Sequence, residues 1–317
     1  MTLHQHVLGV DVAKDWIDAF QLSSGRHEHI ATTKQTLARF AKGAKGALVV
    51  LEASGGYERV LIEALTRFKV DFVRVNPRHA REFARSTGKL AKTDRVDAAL
   101  LARMGRALEL QPTPPAPPRQ VDLQDLVARR DDLVGMIGAE RNRLAQCRHG
   151  SAKGAALAAV RAEIASHITV LVRHRAATEA RIATLIAADP ALAETARLLQ
   201  SVPGIGPAIA ATILARLPEI GTLDRRKLAS LAGLAPQACD SGLARGKRRV
   251  WGGRPSLTRA LYLAAFIASR HDPSVKAFRA KLQSAGKPVK VAIIACARRL
   301  LTTLAAMIRD RKEYSPA

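Results

Sequence analysis

From His6 to about Arg106 the apolar positions switch between two periods. Short β-rich runs at His6–Val12 (HVLGVDV) and Trp16–Leu22 (WIDAFQL), parted by a few polar residues, predict a hairpin, and His29–Thr33 adds a third strand. Lys34–Lys42 has helical spacing. The nearly unbroken apolar run Ala47–Ala53 (ALVVLEA) suits a strand buried on both faces, hence central in a sheet. Gly55 and Gly56 end it; Tyr57–Phe68 then predicts a helix, Val70–Val75 a strand, and Pro77 opens another helix by fixing φ. The order βββαβα followed by a helix predicts an α/β domain over 1–110 of the ribonuclease H-like kind, a mixed sheet flanked by helices.

Gln111–Arg119 (QPTPPAPPR) holds five prolines in nine residues, which predicts a stiff spacer that is neither helix nor central strand. Val121–Leu144 and Ala152–Ala188 are Ala- and Arg-rich, with Leu, Ile and Val at three- and four-residue spacings. They predict two long helices in a coiled-coil-like antiparallel pair, so that 111–190 forms a spacer and helical middle. Asp189-Pro190 closes that stretch, because a residue before proline is driven from the α region. The remainder, 191–317, predicts an all-α unit.

Charge narrows the function classes. Fifty-one Lys and Arg against 27 Asp and Glu leave +24 on 317 residues, with 48% hydrophobic content sufficient for a packed core. So large a surplus suits a polyanionic partner, nucleic acid first. An acidic membrane would call for an amphipathic anchor or lipidation signal, and neither is visible; no run of about 18 apolar residues or export signal is apparent either. The expectation is a cytoplasmic protein without a membrane partner. Cys147, Cys239 and Cys296 are far apart and contain no C-x-x-C, which supports neither a disulfide framework nor a zinc knuckle. Aromatics at 4% argue against a binder built on base stacking, leaving phosphate contacts to dominate.

Four carboxylates could meet at one point. Asp11 ends the first strand, Glu52 lies near the end of the buried strand, and Asp94 and Asp97 share the first turn of a helix that Thr93 would cap. Crowded carboxylates repel unless cations or protons neutralise them. Hard divalent ions, Mg²⁺ or Mn²⁺, held this way assist phosphoryl transfer, so phosphodiester cleavage or exchange is the inferred chemistry. Each residue also has a plainer reading: Asp11 as a turn or cap, Asp94 and Asp97 as partners of the helix dipole. Glu52 alone demands a partner, because burying it unpaired would cost several kcal/mol, roughly.

GVDVAKD around Asp11, LEASGGYERVL around Glu52, VNPRHAREFARSTG at 75–88, KTDRVDAALLAR at 92–103, and the later SVPGIGPAIAATILARL at 201–217 and KLASLAGLAPQACDSG at 227–242 together resemble the DEDD insertion-sequence transposases. That resemblance implies a RuvC-like nuclease domain, a coiled-coil segment and a C-terminal transposase domain. It also implies Asp11, Glu52, Asp94 and Asp97 as metal-binding positions and Ser241 as a nucleophile that leaves a phosphoserine link and a free 3′ hydroxyl. The implied partners are double-stranded donor and target DNA, a non-coding bridge RNA as guide, and further copies of the chain in a homodimer or tetramer.

Without the resemblance, Ser241 in CDSG reads as a turn. Arg245, Lys247, Arg248, Arg249 and Arg254 follow with no acidic residue among them, a setting for a DNA backbone or equally a solvated loop. Cys239 is a rival nucleophile better read as a small buried thiol. Pro203–Pro207 (PGIGP) reads as a helix-hairpin-helix turn, with Gly204 and Gly206 letting helix amides approach a phosphate. Two alternatives stay open: a metal-dependent nuclease of the Holliday-junction type that hydrolyses with water, and a non-enzymatic nucleic-acid binder.

Overall fold

The structure, a computed structural model, describes residues 6–88, 94–147, 154–237, 240–241, 244–245 and 248–315. The chain divides into two compact units, 1–116 and 117–317.

The N-terminal unit contains β1 (Val7–Val12), β2 (Trp16–Gln21), β3 (His27–Ala31), α1 (Lys34–Gly43), β4 (Leu48–Glu52), α2 (Glu58–Arg67), β5 (Asp71–Val75), α3 (Pro77–Ser86) and α4 (Asp94–Ala107). The sheet order is β3-β2-β1-β4-β5, with β1, β2 and β3 antiparallel and β1, β4 and β5 parallel. The mixed sheet and its flanking helices follow the sequence expectation. One face packs Val10, Val12, Val49 and Leu51 against Leu37 and Ala41 of α1 and Leu61 and Leu65 of α2. The other packs Val7, Leu48, Val50 and Val73 against Ala80 of α3 and Ala98, Leu101 and Ala102 of α4. The central strand β4 is therefore apolar on both faces, as the run ALVVLEA requires.

Two expectations shift. The third strand begins two residues earlier than the polar pattern suggested, at His27, where it pairs with Phe20. The proline segment is not a free spacer throughout: Thr113 donates its N–H to Phe72 O at 2.7 Å and accepts at Oγ1 from Arg74 N at 3.2 Å, so it lies along the edge of β5. Its last proline, Pro118, together with Arg119 belongs to the next helix, because a proline at the first helical position loses no hydrogen bond.

The C-terminal unit contains α5 (Pro118–Gln146), α6 (Ala155–Ala187), α7 (Pro190–Gln200), α8 (Pro207–Arg216), α9 (Arg225–Leu231), β6 (Pro236–Gln237), β7 (Asp240–Ser241), β8 (Ala244–Arg245), β9 (Arg249–Val250), α10 (Pro255–His271), α11 (Pro273–Ser284) and α12 (Val289–Asp310). Helices α5 and α6 are antiparallel: Arg119 Nη1 donates to Ala188 O, Leu133 and Ile137 pack with Leu171, and His167 faces Glu140. At its open end α5 joins the helical core: Gln120 Nε2 donates to Leu214 O and Ala215 O, and the buried Arg130 to Ala208 O and Thr212 Oγ1. Asp189 caps α7, its Oδ1 accepting from the Ala191 and Leu192 amides. By length and hydropathy α6 and α12 could each cross a membrane, which qualifies the reading that no such run exists; their alanines raise the average. Helix α12 is a core helix, burying Ile293, Cys296, Leu300, Leu301 and Leu304.

The expectation of an all-α C-terminal unit is corrected by two short ribbons, β6 with β9 and, nested within, β7 with β8. This Gly- and Arg-rich stretch has no apolar period that would hold a helix on the core.

Candidate functional site

Asp11 and Glu52 are placed by the parallel pairing of β1 with β4. Val10 pairs with Leu51, so the next residue of each strand, Asp11 and Glu52, stand side by side at the carboxyl ends of neighbouring strands, roughly 4.8 Å apart in the sheet. Alternation puts both on the face that α4 covers, with Val7 and Gly9 preceding Asp11 and Leu48 and Val50 preceding Glu52. Both are half-buried.

Helix α4 reaches them because β1 offers a glycine. A Cβ at Gly9 would lie 2.0 Å from Ala98 O and 2.4 Å from Ala102 N, so the helix backbone rests directly on the strand. Gly105, farther along α4, faces Val50 and Val7. The helix therefore runs against β1, and its first turn, with the half-buried Asp97, lies toward Asp11. Asp94 is the first residue of α4; its side chain, and Thr93 entirely, lie outside the described residues. Among the described residues no three His, Cys, Asp or Glu side chains already stand close enough to hold an ion in common. The donor set is nonetheless all carboxylate, the chemistry a hard divalent cation selects.

The structure adds residues that sequence reading passed over. Asp18 on β2 is the antiparallel partner of Asp11 and so shares its face; its Oδ1 lies 2.9 Å from His29 Nδ1. Only the nonlocal pairing reveals it. Glu58, read as an ordinary helix residue, is 1% exposed. Its Oε2 accepts from Ser54 N, Ser54 Oγ and Gly56 N at 3.2, 3.2 and 2.8 Å, and its Oε1 pairs with Arg74 Nη2 at 2.8 Å. Burial raises the Glu58 carboxyl, but the amides of Glu58 and Gly56, the Arg74 charge and the Ser54 amide outweigh it and hold the group below the usual carboxylate range. Arg78, His79, Arg81 and Arg85 are exposed on α3, which starts where β5 ends, at the same end of the sheet as the carboxylates. Asn76 caps that helix at 2.9 Å from Arg78 N. The sequence signal was present in the run NPRHAREFAR, whose cations outnumber its single acid.

Ser241 closes the inner ribbon, paired with Ala244, and Asp240 pairs with Arg245. The side chains of Ser241 and Arg245 lie outside the described residues, as do Lys247 and Cys239. The outer ribbon pairs Gln237 with Arg249, and Arg248 and Arg249 are exposed beside it. The arm is rooted in the helical core: Arg254 N donates to Leu231 O at 2.9 Å, and a Cβ at Gly253 would lie 2.2 Å from Gly233 N. Arg254 itself is committed elsewhere. Its Nη1 and Nη2 pair with Glu219 at 2.9 and 2.8 Å, and Nη1 also reaches Arg216 O, so its charge fastens the start of α10 instead of standing free for phosphate. Burial raises the Glu219 carboxyl, and the Arg254 hydrogen bonds outweigh it and hold it low.

The PGIGP turn splits in role. Gly204 has φ +95°, and a Cβ there would meet Ala264 O at 2.6 Å, so this glycine serves the packing of the turn on α10. Gly206 precedes α8 with open space around it and no side-chain cap on the helix.

Comparison with known proteins finds transposase relatives for both parts of the chain. A family model described as a transposase, of the DEDD IS110 type, matches residues 8–148, and a second, described as the transposase IS116/IS110/IS902 family, matches 196–280. The pilin gene-inverting protein of Moraxella bovis is 28% identical over 326 aligned residues, covering 97% of each chain. The insertion element IS110 uncharacterized 43.6 kDa protein of Streptomyces coelicolor is 34% identical over 154 residues, 48% of this chain and 37% of that one. The insertion element IS900 uncharacterized 42 kDa protein of Mycobacterium paratuberculosis is 37% identical over 131 residues, 38% of this chain and 31% of that one. Matched at both ends, in order, by transposase families and along nearly its whole length by a gene-inverting protein, the chain is a DNA recombinase belonging to the IS110 family of DEDD transposases.

Proposed function

We propose that this recombinase cuts and rejoins DNA through a phosphoserine intermediate. The observation that carries the reading is the convergence of Asp11 and Glu52 on adjacent strand ends beneath the first turn of α4, which brings Asp97 and begins at Asp94. The strand order and the mixed pairing support a ribonuclease H-like, RuvC-like N-terminal domain. DEDD membership suggests dependence on a divalent metal; Asp11, Glu52, Asp94 and Asp97 would hold it, Mg²⁺ or Mn²⁺. When bound, such an ion neutralises the carboxylates and the phosphate charge.

Ser241 Oγ attacks the phosphorus and loses its proton; the P–O3′ bond breaks and the departing 3′ oxygen gains one. The protein then carries the 5′ phosphate as a serine ester, which conserves the ester bond, so that a 3′ hydroxyl attacking in reverse rejoins a strand without ATP. Arg248 and Arg249, with Arg245 and Lys247, supply the cationic surroundings that a phosphate backbone requires. Gly206 and the α8 amides carry the sequence-independent phosphate contact proposed for the PGIGP turn. Donor and target duplexes, a bridge RNA, a homodimeric or tetrameric assembly and a cytoplasmic location complete the proposal, as does a division into domains at 1–110, 111–190 and 191–317.

The test is a denaturing gel of end-labelled target DNA incubated with the protein, its co-purifying RNA and Mg²⁺. A band of DNA covalently attached to protein, absent from Ser241→Ala and from Asp11→Ala, is the expected result. Free cleaved ends without an adduct would instead establish a water-dependent nuclease.

A further inference from the structure

Seven Phe, three Tyr and two Trp make up the aromatic complement. All lie within the described residues, and only Trp16, Tyr57 and Trp251 are exposed, at 43%, 53% and 49%. Two of them stand at one end of the N-terminal sheet. Trp16 begins β2 at the sheet end where Asp11 ends β1, and alternation through Asp18 and Phe20 puts it on the carboxylate face. Tyr57 stands on the loop that leaves β4 five residues after Glu52. Trp251 follows β9, the outer ribbon of the arm that carries Ser241.

The two exposed aromatics of the N-terminal unit stand on secured backbone. Thr32 N donates to Asp15 O at 3.0 Å and Thr32 Oγ1 to Lys14 O at 2.8 Å, fixing the turn before Trp16, whose ring lies 5.5 Å from that of His29 at a 41° tilt. The loop before Tyr57 includes two glycines at positive φ, +73° and +114°, a backbone that would be loose by itself. The buried Glu58 carboxylate binds this loop at Ser54 and Gly56 and is held by Arg74. A buried charge is expensive unless fully paired. Here it is fully paired, and its effect is to fix the loop that carries an exposed tyrosine from the carboxyl end of β4 into α2.

We infer that Tyr57 and Trp16 stack on bases of the DNA strand bound at the carboxylates, so that the strand being cut is unpaired at that point. Duplex DNA hides its base faces inside the stack, and an exposed ring gains little from it. An unpaired base gives an aromatic face about 1–3 kcal/mol, equivalent to roughly 5- to 150-fold in affinity. The low aromatic content excludes a binder built on stacking throughout. It does not exclude stacking at a few positions, and both exposed rings of the N-terminal unit, Trp16 and Tyr57, stand at the end of the sheet where Asp11 and Glu52 lie. The inference rests on the proposed DNA-cleaving role of Asp11 and Glu52, and its test is independent of cleavage.

The experiment compares the full-length protein, without divalent metal, on a short oligothymidylate and on an abasic oligonucleotide of equal length and charge. In a Trp251→Phe background Trp16 is the sole tryptophan, and its fluorescence should be quenched by oligothymidylate and not by the abasic chain. Tyr57→Ala should weaken oligothymidylate binding about 5- to 150-fold and leave abasic binding unchanged, while Tyr57→Phe should bind as the parent does. Circular dichroism melting separates lost stacking from a damaged loop, and Glu58→Gln, which loosens the loop but keeps Tyr57, should lose part of the same preference. Equal affinity of the Tyr57→Ala protein and its parent for oligothymidylate would overturn the inference. So would Trp16 emission indifferent to bases, or a Tyr57→Phe variant as weak as Tyr57→Ala, which would assign the role to the hydroxyl. If the parent shows the base preference yet never cuts DNA in Mg²⁺, the cleavage reading fails and the stacking stands.

Discussion

At Gly9 the space a side chain would take is already occupied by the backbone of α4. Gly9→Ala must push the helix off the strand, and with it Asp97, whose first-turn position depends on that contact. Overpacking of this kind typically costs about 1–3 kcal/mol, so a lowered melting temperature together with loss of cleavage is expected; a variant that melts and cuts normally would show that α4 does not aim the carboxylates. Gly138, in α5, has nothing within 4 Å of a would-be Cβ. Gly138→Ala should stabilise by roughly 0.4–1 kcal/mol with activity unchanged, and it serves as the matched control in the same melting experiment.

Glu58 gives the residue scale a pH signature. Its carboxyl is held below the ordinary value in the folded protein, so the unfolded chain binds the proton first as pH falls. The stability it contributes is complete above the ordinary glutamate value near 4.5 and is lost as pH drops through its lower folded value. Asp272 adds to the same slope: burial raises it, while the Tyr314 hydroxyl at 2.5 Å and the Val275 amide outweigh that and hold it low. Melting temperatures of the parent and Glu58→Gln should therefore differ most at neutral pH and converge toward acid. Parallel curves across that range would remove Glu58 from the account of loop order.

At the scale of elements, the N-terminal strands and helices were legible because apolar period and Gly or Pro punctuation coincide there, as in ALVVLEA closed by Gly55-Gly56. The third strand begins two residues before its sequence expectation because HEHIA is a polar edge strand with no buried alternation to fix its register. Pro118 reads as spacer in the sequence because composition does not distinguish a proline that ends an extended run from one that starts a helix. The two-residue ribbons around Ser241 leave no period at all. Of the site, Asp11, Glu52 and the α4 pair could be read locally, since each sits at an element boundary. Asp18 could not, because only strand pairing sets it across from Asp11. That pairing carries a prediction: Asp18→Asn keeps the shape and removes one negative charge from the face, so apparent affinity for Mg²⁺ in the cleavage assay should fall while the melting temperature holds. Unchanged metal dependence would make Asp18 a partner of His29 alone.

For the whole molecule, the charge surplus of +24 bears on how DNA is held more than on how the chain folds. Individual arginines are nonetheless committed within the protein: Arg254 and Arg74 pair with carboxylates already counted in that balance, and Arg130 donates to Ala208 O and Thr212 Oγ1. Exposed cations occur along the whole chain; those nearest the candidate residues in sequence and fold are Arg78, Arg81 and Arg85 on α3, where Arg78 also pairs with Glu82, and Arg248 and Arg249 on the arm. Binding through these groups releases condensed counterions, so log affinity for duplex DNA should fall linearly with log salt, with a slope of about −0.9 for each phosphate neutralised. Replacing Arg78, Arg81 and Arg85 by Ala, and in a second variant Lys247, Arg248 and Arg249, should each make that slope shallower by up to about 3. Replacing Arg254 should leave the slope as it was and lower the melting temperature instead, because its charge is already paired with Glu219. Fluorescence anisotropy at several salt concentrations separates the three. A slope that moves with Arg254 and not with the exposed arginines would mean that the free protein's ion pair opens on DNA, and that the surface cations named here are solvated and idle.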